Sequence, residues 1–309
     1  MPARRATQKS TTGRTLLHLF FGTASRVAPR WTERRAARLF LTPKRRRRPV
    51  PAPPESAAGV ISRPFVLEMD GLRVPAWSWG AGPMVLLAHG WAGGAADMAP
   101  LAGALAEAGY RAVFLELPGH GDDGRRHTSM AEWLRALRGI VGLLGQPYAV
   151  VGHSMGAAAV ALALDEGVEP RGAVLLAPVV APMAFADRFA RFIGLPRGRM
   201  AGLTRELNRI VGRDVYSFDV RRVARGTAVP ALLVHDPADP EAPYHEHARE
   251  IAAAWRGCEV VETPGLGHRG MLADPETIVR AVRFVDGLRR GARRVTVPAV
   301  RLATGTDGD

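Results

Sequence analysis

The sequence predicts an α/β protein: a mostly parallel central sheet with helices on both faces and a helical insertion near its C-terminal third. Three observations lead there. Short, mainly apolar runs recur at Met84–Ala88, Ala112–Leu117, Tyr148–Gly152, Gly172–Ala177, Ala231–His235 and Glu259–Thr263. Amphipathic stretches separate them, so the strands are buried on both faces, as in parallel sheets. Between two of the runs lies a segment, 181–229, too long for an ordinary connection.

The elements follow in chain order. Residues 1–60 form a basic N-terminal arm and a Pro-rich linker. Within the arm, Trp31, Arg34, Arg35, Arg38, Leu39 and Phe40 suggest a short basic helix ending before Pro43. The run Lys44 to Arg48 follows, and Pro49, Pro51, Pro53 and Pro54 favour an extended path. Phe65–Met69 and Arg73–Trp79 read as a hairpin turned at Asp70-Gly71. The core occupies 61–180 and 230–290, with helices near 95–108, 130–144, 155–166, 243–256 and 272–289. Phe185, Phe189, Phe192, Leu203 and Leu207 mark 181–229 as a helical lid, and 291–309 reads as a flexible tail.

The net charge of +13 is concentrated in the arm. Residues 1–60 hold 14 of the 42 Lys and Arg and 2 of the 29 Asp and Glu, so the rest of the chain is nearly neutral. This points away from nucleic acid as a partner of the body and assigns the basicity to the arm. Trp31, Leu39 and Phe40 among arginines favour an anionic membrane surface, through residues 1–48, over a phosphate-tracking tail. The alternatives are that the arm packs over the body or merely solubilises it. Leu16 to Ala24 is too short to span a bilayer, and a small-residue cleavage site does not follow it. Cys258 is the single cysteine, which excludes an intrachain disulfide and fits a reducing compartment. A cytoplasmic, membrane-peripheral location is the expectation.

The chemistry is carried by Gly152-His153-Ser154-Met155-Gly156, a G-x-S-x-G string directly after an apolar strand and directly before an Ala-rich helix. That context makes Ser154 the nucleophile of a tight strand-to-helix turn, with glycines where a Cβ would clash. A serine hydroxyl needs a base. His268, in the loop Pro264 to His268 after the last strand, is the candidate. The same loop reads G-x-G-x-x-G (Gly265, Gly267, Gly270), but no βαβ unit follows, so a dinucleotide site is set aside. The base needs an orienting carboxylate. Asp236 and Asp239 both follow the strand Ala231–His235. Asp239 is favoured because a few loop residues bring it back toward the histidine, and Asp236 reads as a turn former. For the oxyanion, the backbone N–H groups of Met155 and Trp91 are the expected donors, Trp91 lying in His89-Gly90-Trp91-Ala92-Gly93-Gly94.

Together these motifs resemble the α/β-hydrolase superfamily over about residues 64–290. His89-Gly90 is similar to its oxyanion loop, and Pro118-Gly119-His120-Gly121 to its P-G-x-G turn. His235 to Pro243 is similar to its acid segment, and Gly267-His268 to its base loop. The "RLFLTP" segment Arg38 to Pro43 is similar to the leader of one bacterial group whose substrates are largely unassigned. Glu116, where the family often has Asp, and Asp122-Asp123 depart from the pattern and bear on loop structure. The resemblance implies a serine hydrolase of the carboxylesterase or thioesterase kind, acting on a small-molecule acyl substrate through an acyl-enzyme, with no cofactor and no metal. The alternative is a non-catalytic binding protein of the same fold, tethered by its arm. His245, Glu246 and His247 read as a solvated surface, His120 and His153 as packing or supporting groups, Cys258 as a buried apolar residue, and Trp77 and Trp79 as strand packing.

Overall fold

The computed structural model describes residues 3–44, 48–54, 64–69, 71–121 and 124–292. The arginines 45–47, most of the segment joining the arm to the core, the Asp70 half of the hairpin turn, Asp122-Asp123 and the tail from 293 lie outside the described residues. Among the described residues the sheet has eight strands: β1 (Phe65–Met69), β2 (Leu72–Trp79), β3 (Met84–Ala88), β4 (Arg111–Leu115), β5 (Ala149–His153), β6 (Ala173–Leu176), β7 (Ala231–His235) and β8 (Cys258–Glu262). Their order is β1-β2-β4-β3-β5-β6-β7-β8. The β1–β2 and β2–β4 pairings are antiparallel and the other five are parallel. The hairpin register pairs Met69 with Leu72, and Gly71 supplies a positive φ of 70° at its turn.

Among the described residues eleven α-helices follow in chain order: α1 (Ala3–Val27), α2 (Pro29–Phe40), α3 (Ala99–Glu107), α4 (Met130–Leu144), α5 (Met155–Leu164), α6 (Ala186–Ile193), α7 (Met200–Val211), α8 (Val220–Gly226), α9 (Ala248–Ala254), α10 (Gly267–Gly270) and α11 (Pro275–Ala292). Helix α4 starts on a capping box: Glu132 N–H donates to Ser129 Oγ, and Ser129 N–H donates to Glu132 Oε2 at 3.0 Å. The central strands are apolar apart from Arg111, His153 and His235 at their ends, because alternate residues feed two cores. In β3, Met84, Leu86 and Ala88 face the layer of α4, α5, α8 and α9, while Val85 and Leu87 face that of α3 and α11.

A third apolar cluster joins the arm to the insertion. Phe21, Ala36, Ala37 and Leu41 are buried with Ala190, Ile193, Leu203 and Leu207 of α6 and α7. Polar contacts reinforce the joint. Glu33 is buried between Arg199 (3.8 Å) and Arg205 (4.0 Å), the His18 ring donates to the Phe192 carbonyl at 2.8 Å, and Thr128 N–H donates to the Leu41 carbonyl at 2.9 Å. Residues 15–44 therefore form one layer with α6 and α7. Helix α8 instead packs on the α5 side of the sheet through Val220 and Val223. Among the described residues no helix is long and apolar enough to cross a membrane.

Parallel register sets up the functional rim. Ala88 pairs with Gly152, His153 with Leu176 and His235 with Glu262. The segments leaving β3, β5, β7 and β8 thus emerge along one edge of the sheet, the edge where ligands bind in open α/β sheets.

Candidate active site

Ser154 leaves β5 with φ 54° and ψ −118°, in the left-handed half of the backbone map. A non-glycine residue there is strained and persists only where its surroundings over-determine it. The surroundings are close. A Cβ on Gly152 would meet Ala157 backbone at 2.4 Å, and one on Gly156 would meet the carbonyl oxygens of His89 (2.3 Å) and Ala88 (2.4 Å). The turn therefore holds Ser154 at the N-terminus of α5, whose field favours negative charge.

The Ser154 hydroxyl lies 2.8 Å from His268 Nε2, and His268 Nδ1 lies 2.6 Å from Asp239 Oδ2. A carboxylate only accepts, so Nδ1 carries the proton and Nε2 is left to accept from the hydroxyl. Asp239 is itself fixed: its Oδ1 accepts from the Glu241 N–H at 2.8 Å and the Ala242 N–H at 3.2 Å. Burial pushes its carboxyl up. The His268 hydrogen bond and charge, with the two amides, outweigh this and hold it below the usual carboxylate range. Asp236 is occupied elsewhere. It accepts from Ala238 N–H at 2.8 Å and from Gly267 N–H at 2.5 Å, shaping the loops on either side of the pair.

Met155 follows Ser154 directly, and the Trp91 loop comes close at Gly90, where a Cβ would sit 3.1 Å from Ser154 Cβ. Among the described residues neither the Met155 nor the Trp91 amide has a protein acceptor. The Trp91 loop is braced at each side: Gly93 N–H donates to the Gly90 carbonyl at 3.0 Å, and Ala92, at φ 55°, donates its N–H to His120 Nε2 at 3.0 Å. Gly90 is required by close approach, because a Cβ there would sit 2.7 Å from His153 Nδ1.

Residues 85–281, well over half of the chain, match the α/β-hydrolase family. The chain belongs to the α/β-hydrolase family. It is 30% identical over 253 residues to an uncharacterized protein of Mycobacterium tuberculosis, a match covering 78% of this chain and 82% of the relative. Its fold is similar to those of solved hydrolases. An esterase of Pyrococcus furiosus shares 20% identity at TM-score 0.58, over 79% of this chain and 99% of that one. An esterase of Thermogutta terrifontis shares 18% at TM-score 0.57, over 76% and 96%. The thioesterase domain of a curacin biosynthetic pathway shares 18% at TM-score 0.53, over 72% and 98%.

This hydrolase surrounds its serine with neutral histidines. His153 Nε2–H donates to the His268 carbonyl at 2.8 Å, tying the His268 loop to β5. Burial, then the nearby His268 and Arg269 charges, lower its pKa to about 3. His89 donates Nδ1–H to the Gly90 carbonyl at 2.8 Å and accepts the Leu117 N–H at 3.0 Å; burial holds it well below the ordinary imidazole value. His247 corrects the expectation of a solvated surface. The helix expected over 243–256 narrows to α9, and the turn before it points His247 inward while His245 stays exposed. His247 is buried, its ring stacks on Phe185 at 5.4 Å, and burial lowers its pKa to about 4. Cys258 is half-buried rather than buried, since β8 is the edge of the sheet.

One bracing residue, Arg269, escaped the sequence reading, and a second, Glu116, was marked there only as bearing on loop structure. Arg269 lies 3.4 Å from the Trp91 carbonyl, to which it donates, and 3.8 Å from Asp97, linking the His268 loop to the Trp91 loop. Glu116 accepts the Ala95 N–H at 3.1 Å. Its departure from the family pattern marked the position, but no local signal could assign that partner. The pairing depends on β4 lying beside β3.

Proposed function

We propose that the chain is a serine hydrolase that cleaves carboxylic esters or thioesters through an acyl-enzyme. The observation that carries the reading is the relay from Ser154 Oγ to His268 Nε2 at 2.8 Å and from His268 Nδ1 to Asp239 at 2.6 Å. In this scheme His268 takes the hydroxyl proton as Oγ attacks the acyl carbon, and Asp239, held ionised, stabilises the imidazolium. The N–H groups of Trp91 and Met155, with the α5 N-terminus behind them, receive the oxyanion. Collapse of the tetrahedral intermediate breaks the bond to the alcohol or thiol, which leaves with the proton from His268. Water, deprotonated by the same ring, then releases the acid and frees Oγ.

Both Ser154 and His268 are only 8% exposed, so the acyl carbon must reach them beneath the covering segments. Incubation with a fluorophosphonate probe and with p-nitrophenyl and acyl-thioester series tests the reading. Labelling that disappears in Ser154→Ala, with turnover of one series, is expected. Wild-type protein that neither labels nor turns over any of the esters would overturn it.

A further inference from the structure

The arm carries two apolar stripes, and only the inner one is used. At 100° per residue, Leu17, Phe21 and Ser25 lie on one side of α1, packed toward α6 and α7. Leu16, Leu19, Phe20, Thr23 and Val27 lie on the other, within an arc of about 100°. The four apolar side chains of that outer stripe are between 46% and 83% exposed. Trp31 of α2, half exposed, continues the stripe and meets Phe20 edge-on at 5.8 Å. Phe192 at the end of α6, 51% exposed, adjoins it through the His18 bond to its carbonyl.

Guanidinium groups border this surface. Arg26, Arg30, Arg35 and Arg38 are exposed, and among the described residues none has a carboxylate partner. Arg34 pairs with Glu206 at 3.4 Å. Glu33, the one acidic residue of α1 and α2, is turned inward to Arg199 and Arg205. Among the described residues the outer face of α1 and α2 is thus apolar at its centre and cationic at its rim, and carries no exposed carboxylate of its own.

We propose that the outer face of α1 and α2 docks on an anionic lipid bilayer. Leucine, phenylalanine and valine side chains enter the acyl boundary, Trp31 sits at the headgroup level, and the arginines meet lipid phosphates. A nucleic acid would use the arginines and leave the apolar stripe in water. A second copy docked by the same face would set arginine against arginine across a twofold axis. The bilayer satisfies both features at once.

The docking layer is one packed unit with α6, whose two ends touch different parts of the molecule. Arg188 donates to the carbonyl of Glu241, two residues from Asp239, at 3.0 Å, and Phe192 holds His18 four residues later. About 6 Å of helix therefore joins the acid loop to the docked layer. Acyl esters dissolved in the bilayer are then the substrate class that reaches the site most directly. That second statement rests on the hydrolase reading; docking does not.

Flotation of the full chain and of Ser154→Ala with phosphatidylglycerol vesicles, against phosphatidylcholine vesicles, tests the proposal. Both proteins are expected on the anionic vesicles, with weaker binding at high salt. Leu16→Ser/Leu19→Ser/Phe20→Ser changes only exposed side chains and is expected to bind at least tenfold more weakly. Arg26→Gln/Arg30→Gln/Arg35→Gln, which leaves the apolar stripe intact, is expected to bind about a hundredfold more weakly. Turnover of a soluble p-nitrophenyl ester should be the same in both surface variants, while turnover of an ester held in anionic vesicles should fall. Equal binding to both lipids, or binding indifferent to both variants, overturns docking. So does a concentration-dependent dimer, or retention on DNA, without vesicle binding. Vesicle binding without ester turnover overturns only the hydrolase reading.

Discussion

The rim of the sheet and the layer formed by the arm with α6 and α7 treat polar groups in opposite ways. At the rim, Ser154, Asp239 and His268 are nearly buried, and each is held by short hydrogen bonds to a named partner. On the outer layer, Arg26, Arg30, Arg35 and Arg38 have no carboxylate partner among the described residues and stand beside leucines and phenylalanine left in water. A buried polar network tolerates one arrangement, because each unpaired group in it costs about 1–3 kcal/mol. An exposed cationic and apolar face has no such internal requirement. The bilayer docking proposed above would account for its composition. On that proposal the rim is a finished geometry and the outer layer is half of a contact.

The largest expected effect breaks the rim at its centre. Ser154→Ala should lower kcat for a p-nitrophenyl ester by about 10⁵-fold or more, with circular dichroism unchanged. A residual rate within tenfold of wild type would remove the nucleophile from the scheme. The next effect separates the two loop aspartates. Asp239→Asn should lower kcat by roughly 10⁴-fold, because the amide no longer fixes the Nδ1–H tautomer. Asp236→Asn should cost only about tenfold, through the Gly267 and Ala238 amides that Asp236 holds. The reverse order would make Asp236 the acid.

A third test uses the buried histidines. His153 has a folded pKa of about 3 against an ordinary 6.5, because its burial, with the charges near it, favours the neutral ring. The unfolded chain takes up that proton first as pH falls. Stability from this ring is therefore present above pH 6.5 and is lost progressively from there down to about pH 3. By pH 4 the loss is on the order of 3 kcal/mol for His153 alone. His247, lowered to about 4, adds a loss of the same sign. Urea midpoints should fall steeply between pH 6.5 and 4, and His153→Gln should reduce that slope. An unchanged slope in the variant would show that His153 does not titrate with unfolding.

These two regions were also unequally legible in the sequence. Ser154, Asp239 and His268 could be placed because each stands in a short string whose residue types the backbone requires: glycines at 152 and 156 where a Cβ meets backbone, and loop residues directly after a strand. The strands were legible for a similar reason, since burial on both faces leaves an uninterrupted apolar run. The arm was not. Its inner stripe of Leu17 and Phe21 has no meaning until α6 and α7 are known to lie beneath it, and the 25-residue length of α1 was not foreseen where only a short apolar stretch was noted. His247 was misread because the helix expected at 243 starts at 248, and a turn follows no helical facing rule. Arg269, one residue after the base, carries no motif of its own, and its contact with the Trp91 carbonyl spans 178 residues.

The smallest expected effect sharpens the contrast from the arm's side. Gly202 on α7 lies against Glu33 of α2, and a Cβ there would meet the Glu33 carboxyl group at 2.0 Å. The obstacle is the end of a side chain, so it can yield, unlike the backbone oxygens that face a Cβ on Gly156. Yielding moves a buried carboxylate away from Arg199 and Arg205 and loosens α2 on α7. Gly202→Ala should therefore destabilise the chain by about 1–2 kcal/mol. Trypsin should cut faster after Arg34 and Arg35, and soluble ester turnover should stay within about twofold of wild type. A large loss of turnover instead would mean that the fit of the arm on α7 is transmitted to the acid loop, and the two regions would then be one mechanical unit.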